Sequence, residues 1–251
     1  MRRWAVASMV AVGVMLAGWM ARAETLVADL SSHLIAITTG FTGTEVVLFG
    51  AVEQPGDIAV VVTGPRADVV VRRKARTVGI WLNRDSLAFQ QVPGFYMLAT
   101  NRPLDRLLPE PVLERHEIGL NNMALVPSHK ATLERPGAEI AEYREALIRN
   151  KQKLELYPTA LGQVAFLGQH LFRTNVYFPA NVPTGVYTVS VYLIRDGDVV
   201  SAQTTPLVVS KVGFSAEIFE FAQRQSLVYG LAAVMGAITA GWLAGAVFRR
   251  V

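Results

Sequence analysis

Cysteine is absent from all 251 residues, and that absence removes disulfides, thiol nucleophiles, zinc–thiolate sites and iron–sulfur clusters together. Histidine is nearly as scarce: His33, His116, His129 and His170 are scattered without ligand-type spacing. The nearest approach to a metal motif is His116-Glu117 and His129 with Met123 between them, and these are expected to be ordinary surface residues. No P-loop and no strand-coupled G-x-G-x-x-G occurs, so Gly40-Phe-Thr-Gly43 reads as a glycine-bounded turn. No G-x-S-x-G elbow presents an activated serine. The expectation is a chain without catalytic, cofactor or metal residues. Charge is also sparse, at 18% of residues against 51% hydrophobic, with a mean hydropathy of +0.32. That balance excludes disorder and points to a folded protein with membrane segments.

The pI of about 9.5 suggests nucleic acid until the charges are placed. Arg2, Arg3, Arg22, Arg249 and Arg250 lie in the two terminal stretches. The remaining 19 Lys+Arg face 20 Asp+Glu, all between Glu24 and Glu220, so the central part carries about −1. The basic excess belongs to targeting, and no nucleic-acid partner is expected.

What is present in quantity is apolar sequence at both ends. Arg2 and Arg3, the apolar run from Trp4 to Met20 and the small-x-small triplet Ala21-Arg22-Ala23 form a three-part secretory signal, residues 1–23, with a retained anchor as the alternative. Residues 226–248 carry no charge, enough for a helix to cross a hydrocarbon core of roughly 30 Å. Arg249 and Arg250 after it fit a cytoplasmic tail, residues 249–251, under the positive-inside rule, with Tyr229 and Trp242 as interface anchors. Both ends imply a bacterial inner-membrane protein with its main domain in the periplasm, where a cysteine-free domain is at home. Along the helix, Ala233, Ala237, Gly241 and Gly245 recur every four residues, a stripe that lets another helix approach closely. The expected partners are therefore the lipid bilayer and an integral membrane protein or a second copy of the chain. Phe214, Ile218 and Phe221 at helical spacing predict a juxtamembrane helix over 213–225.

Between the ends, the sequence predicts a mainly β protein: immunoglobulin-like β-sandwich units with a helical insertion, or two smaller β units with helices between them. Short β-branched runs at His33–Ile37, Glu45–Val52, Ile58–Val62, Val69–Arg73, Val78–Leu82 and Tyr96–Ala99 are separated by turns such as Gln54-Pro55-Gly56-Asp57 and Val92-Pro93-Gly94. They define an N-terminal β unit, residues 24–104. Residues 105–158 read as the insertion, with a short helix over Val112 to Leu120 and a longer one over Ala138 to Leu156 whose apolar side is Ile140, Tyr143, Leu147 and Leu154. A C-terminal β unit, residues 159–212, follows, with strands at Leu171–Phe178, Val186–Arg195 and Val199–Val209 and a hairpin turn at Asp196-Gly197. The aromatics Phe95, Tyr96, Tyr177, Phe178, Tyr187 and Tyr192 fall on strands and are expected to be mostly core.

The sharpest charge feature is Arg72-Arg73-Lys74-Ala75-Arg76. It is expected as a solvated turn between two strands, and Arg72, Arg73, Lys74 and Arg76 are the residues through which an anion, a lipid headgroup or an acidic partner would bind.

Leu26-Val-Ala-Asp-Leu30, the segment from Phe41 to Gly50, Pro93-Gly-Phe-Tyr96 and Pro183-Thr-Gly-Val-Tyr187, together with the signal, resemble the alphaproteobacterial putative transmembrane protein family over nearly the full length. The resemblance implies a signal-bearing, C-terminally anchored protein and supplies no catalytic residues. It also carries an association with exporters of the sulfite-exporter-like permease class. Two functions are therefore expected in competition: an accessory or interaction subunit of a membrane complex, with a transporter as the partner, and a membrane-tethered periplasmic module that binds a solute or anion.

Overall fold

A computed structural model describes residues 26–77, 79–129, 135–213 and 222–248. The expected signal and tail lie outside these residues, as do residues 214–221 of the expected juxtamembrane helix; residues 222–224 are helical. In chain order the elements are β1 (Leu26–Leu30), β2 (Leu34–Ile37), β3 (Gly43–Val52), β4 (Asp57–Thr63), β5 (Arg66–Thr77), β6 (Ile80–Pro93), β7 (Tyr96–Thr100), α1 (Glu110–Arg115), β8 (Val126–Pro127), α2 (Gly137–Lys153), β9 (Gly162–Gln163), β10 (Ala165–Leu167), β11 (Leu171–Pro179), β12 (Gly185–Arg195), β13 (Asp198–Lys211) and α3 (Ser226–Phe248). The protein is mainly β with one apolar C-terminal helix.

Period-two alternation decides which strand faces turn inward. On β11, Phe172, Thr174, Val176 and Phe178 are buried while the residues between them, Arg173, Asn175 and Tyr177, are exposed. The first sheet has the order β1-β3-β11-β10, and the second β2-β13-β12-β4-β7-β9. Their inward faces meet in one hydrophobic core that includes Leu48, Phe172 and Phe178 from the first sheet and Val60, Tyr187 and Leu193 from the second. Strands from before and after the helical insertion are neighbours in both sheets: β3 pairs with β11, and β4 with β12. The chain crosses between sheets at its start. β1 lies beside β3, and after three residues β2 runs parallel to β13 in the opposite sheet.

One side chain ties the sheets together. Gln203 on β13 accepts from the Ala28 amide at 2.7 Å and donates to the Ala28 carbonyl at 2.8 Å, so its side-chain amide pairs with the outer edge of β1 as a strand would. Asp196 and Gly197 both have positive φ, 52° and 79°, the conformation of the two-residue turn that the dipeptide predicts. On β3, a Cβ added to Gly50 would lie 2.4 Å from Phe172 Cζ and 2.6 Å from the Val27 carbonyl oxygen. Gly50→Ala is therefore expected to lower stability by about 1–3 kcal/mol through overpacking, a shift that urea unfolding of the full chain would detect.

The segment after β7 covers the outer face of the second sheet. Tyr96 and Leu98, which would otherwise face water, are buried together with Leu107, Leu108, Leu113 and Ile118. α1 is shorter than the predicted helix over Val112 to Leu120. It stops at Arg115, and the positive φ of Glu117 and Gly119 turns the chain back. The Tyr96 hydroxyl holds that turn, donating to the Glu117 carbonyl at 2.8 Å and accepting from the Gly119 amide at 2.7 Å. α2 buries Tyr143 and Leu147 as its pattern predicts. Leu154 does not join that face: it is the residue capping the helix end and is exposed.

Candidate functional site

The basic run lies within strand β5, not in a turn. β5 pairs with β6 from Arg66 opposite Pro93 to Thr77 opposite Ile80, and the small β8 completes this third sheet. The pairing keeps the backbone extended through the whole run, with one register shift between Arg73 and Lys74, because Val69, Val70 and Val71 lead into it with strand propensity that the four cations do not interrupt. β6 is correspondingly longer than expected and reaches Pro93.

Alternation then separates the four basic residues. Arg73 shares a face with the buried Val71 and turns toward α2. It pairs with Glu142, and its guanidinium carbon lies 5.1 Å from the centroid of the Tyr143 ring. Arg135 approaches the same ring at 5.5 Å and bonds Glu139. Arg72, Lys74 and Arg76 fall on the opposite face, all exposed. Arg76 is directly across from Trp81, and Lys74 from Asn83. The structure thus brings three of the four predicted contact residues together and assigns Arg73 to fastening the hairpin onto α2.

The root of the hairpin is rigid. Phe95, just after it, stacks on Phe178 at 5.2 Å and packs against Tyr187 at 5.9 Å. The Tyr157 hydroxyl donates to the Pro93 carbonyl at 2.7 Å. Lys151 sits 5.8 Å from the Tyr157 ring centroid, and burial pushes its ammonium pKa down. Burial also pushes the phenols of Tyr96, Tyr157 and Tyr187 well above the usual tyrosine range.

A polar cleft of about 440 Å³ opens on the outer face of the second sheet, lined by Arg66, Arg115, His116, Thr188, Ser190 and Tyr192 among others. Arg66 is paired with Glu117 at 2.7 Å, and the His116 ring packs against Tyr192 at 5.3 Å. Among the described residues, no three His, Asp or Glu side chains converge as metal ligands would. Met123 is buried, which separates it from the exposed side of His116 and His129. His33 instead contacts Asp29 at 2.9 Å, and His170 Nδ1 lies 3.1 Å from the Val52 carbonyl oxygen.

α3 is the second place of interest. Its 23 residues contain no charge, and every side chain described along it is exposed. Ala233, Ala237, Gly241 and Gly245 lie on one side of it by their fourfold spacing. Among the described residues, nothing beyond the helix's own backbone comes within 4 Å of a Cβ built at Gly241 or Gly245.

Sequence reasoning missed three features. β1 is a strand in the first sheet, Gln203 clasps its edge, and Ile80, Trp81 and Leu82 are exposed at the hairpin tip. The exposure of that triplet depends on how far α2 reaches along the hairpin, and the start of α2 meets it at the level of Arg73 and Asp85.

Among the described residues, a β-rich body accompanies one helix long and apolar enough to cross a membrane, the features of a membrane-associated protein. The chain belongs to the putative transmembrane protein family Alph_Pro_TM, whose model matches residues 25–250. No curated protein and no solved structure matches it.

Proposed function

We propose that the chain is an inner-membrane protein whose β-rich body stands in the periplasm as an accessory or interaction subunit of a membrane complex. The observation that carries this reading is an apolar row across the outer face of the first sheet. Pairing register places Val27 beside Ala51, Ala51 beside Leu171, and Leu171 beside Leu167. Val27, Leu171 and Leu167 are each about half exposed, as is Phe49 one row further on. A contiguous exposed apolar strip on a folded body is the usual mark of a protein contact.

The secretory signal pattern and the two terminal arginines support the orientation. The strand order, with a first strand divided between sheets and its second half parallel to the last strand, supports an immunoglobulin-like sandwich in which β5, β6 and the helical insertion are additions. The expected partner is a polytopic protein, with a permease of the exporter class suggested by the family resemblance. No catalytic role is assigned.

The test is purification of the full chain in mild detergent through an epitope in an exposed loop, with bound proteins identified. A polytopic partner is expected. Leu171→Asp, or Gly241→Leu with Gly245→Leu, should lower its recovery at least about tenfold, equivalent to about 1.4 kcal/mol. Recovery unchanged in both variants would refute the interaction reading. Recovery of the chain alone would favour the second reading, a tethered solute- or anion-binding module. The open cleft beside Arg115, His116, Thr188 and Ser190 is the observation on its side.

A further inference from the structure

We propose that the tip of the β5–β6 hairpin docks on an anionic lipid surface, the face of the bilayer that α3 crosses. This rests on α3 being the membrane span. Within residues 72–84 there are five basic residues, Arg72, Arg73, Lys74, Arg76 and Arg84, and no acidic one. The same stretch holds Ile80, Trp81 and Leu82, which are 64%, 66% and 52% exposed. A strand tip that combines uncovered Ile, Trp and Leu with an excess of exposed cations would favour aggregation in water. At a headgroup layer both halves are satisfied, the apolar side chains among acyl chains and the cations against phosphates.

The geometry supplies the amphipathic arrangement. Ala75 is opposite Leu82, and Ile80 lies two residues from Leu82 on β6, so these three share one face. Arg76 opposite Trp81 and Lys74 opposite Asn83 share the other, which also carries Arg72. The last ties to α2 and its leading turn are Arg73 to Glu142 and Arg135 to Asp85. Beyond that level the hairpin continues for four residue pairs, about 13 Å at about 3.3 Å per residue. Lys74, Arg76, Ile80, Trp81 and Leu82 are all exposed there, and Trp81 lies on the face of the cations, the position that tryptophan takes in an interfacial belt.

Strand direction places the hairpin root at the end of the body where β13, the last strand before the span, exits. Thr188 of β12 is flanked by Thr63 of β4 and Pro206 of β13, and β4 and β13 run the same way. One strand continues through Gly64 and Pro65 into β5, and the other continues to Lys211 on the way to α3. The first exit packs beside the partner of the second: a Cβ built on Gly185, which pairs with Val209 of β13, would lie 2.9 Å from Pro65 Cγ. The hairpin and the strand that precedes α3 in the chain therefore leave from one end of the second sheet, while the apolar row of Val27, Ala51, Leu171 and Leu167 lies toward the other.

Because the chain has no cysteine, one introduced thiol gives a unique reporter. Leu82→Cys in the full chain, labelled with a polarity-sensitive fluorophore, would be reconstituted into vesicles of phosphatidylcholine alone and of equal parts phosphatidylcholine and phosphatidylglycerol. Gln169→Cys, at the opposite end of the body, is the control. In the anionic vesicles the label at position 82 should shift to the blue and be quenched by nitroxide-bearing lipid, and the label at position 169 should not. Lys74→Gln with Arg76→Gln should lower the inserted fraction about 30-fold, at about 1 kcal/mol per basic residue. Ile80→Asp should abolish the signal without changing the melting temperature. A label at 82 that stays aqueous in both vesicles while the protein co-floats with lipid overturns the proposal and leaves the membrane span intact. Failure to co-float removes the span itself. Insertion that is equal in both lipids and indifferent to Lys74 and Arg76 overturns the anionic component.

Discussion

Phe178→Ala is expected to cost about 4 kcal/mol, within the range for truncating a buried phenylalanine, and to be the most damaging single truncation among the body's core residues. Phe178 comes from β11 in the first sheet, Tyr187 from β12 in the second, and Phe95 from the junction between the hairpin and β7. All three rings are fully buried, and their centroids lie 5.2–5.9 Å apart. Removing the Phe178 ring therefore leaves a cavity at the one point where the two sheets and the hairpin root meet, and it also deletes two aromatic contacts worth about 0.5–1.5 kcal/mol each. Against a typical total of about 5–15 kcal/mol, this approaches the limit of folding. Urea unfolding of the full chain in detergent, followed by near-ultraviolet circular dichroism, should show a lower midpoint at constant slope. Phe178→Leu, which refills most of the volume, should recover more than half the loss. A Phe178→Ala cost below about 1 kcal/mol would mean that the cluster does not join the sheets.

Alkaline pH is expected to unfold the body well before any exposed group would require it. Tyr96, Tyr157 and Tyr187 are buried, and their hydroxyls donate to the carbonyls of Glu117, Pro93 and Pro183. Burial raises each phenol's pKa in the folded state. A raised folded pKa makes the stabilisation complete below the unfolded value, about 10 for tyrosine, and erodes it as pH rises above that value. With three such groups the slope approaches about 4 kcal/mol per pH unit above pH ~10. Lys151 acts in the opposite sense, because its pKa is lowered by burial, but its contribution ends at the unfolded lysine value of about 10.4. Melting temperature measured from neutral pH upward should therefore be flat and then fall steeply past pH 10. Tyr157→Phe should reduce that slope by about one third while costing about 1 kcal/mol at neutral pH for the lost bond to Pro93. A melting curve unaffected by pH 11 would show that these phenols are not held neutral by the fold.

Local chemistry made much of the body legible. The alternating run from Val186 to Arg195, the Asp196-Gly197 turn and the return strand form a hairpin whose own pairing is between near neighbours in sequence. The buried side of α2 was readable for the same reason, since Tyr143 and Leu147 are one turn apart. Leu154 was misplaced because periodicity does not reveal where a helix ends. β1 was missed as a strand because Leu26, Ala28 and Leu30 make only a five-residue alternation, too short to distinguish from the end of the preceding apolar sequence.

The basic run shows the limit most clearly. Its charge and spacing were plain, yet whether Arg72, Arg73, Lys74 and Arg76 formed a turn or a strand depended on β6 extending to Pro93 and supplying a hydrogen-bonded partner for every position. Once paired, alternation alone sent Arg73 to Glu142 and Tyr143 and left the other three outside. The apolar row on the first sheet was beyond sequence reading altogether, because Val27, Ala51 and Leu171 become neighbours only through strand register across more than a hundred residues.

The sequence by itself determined the membrane-length helix, the absence of thiol chemistry, the mainly β character and the places where the chain turns. Each depends on composition or on contacts within a few residues, where side-chain chemistry acts directly on the local backbone. Tertiary structure alone decided that strands on either side of the insertion share two sheets, that α2 stops short of the hairpin tip, and which cations stand free beside Trp81. Those outcomes follow from competition among distant apolar faces for burial, and that competition is settled by the whole core at once.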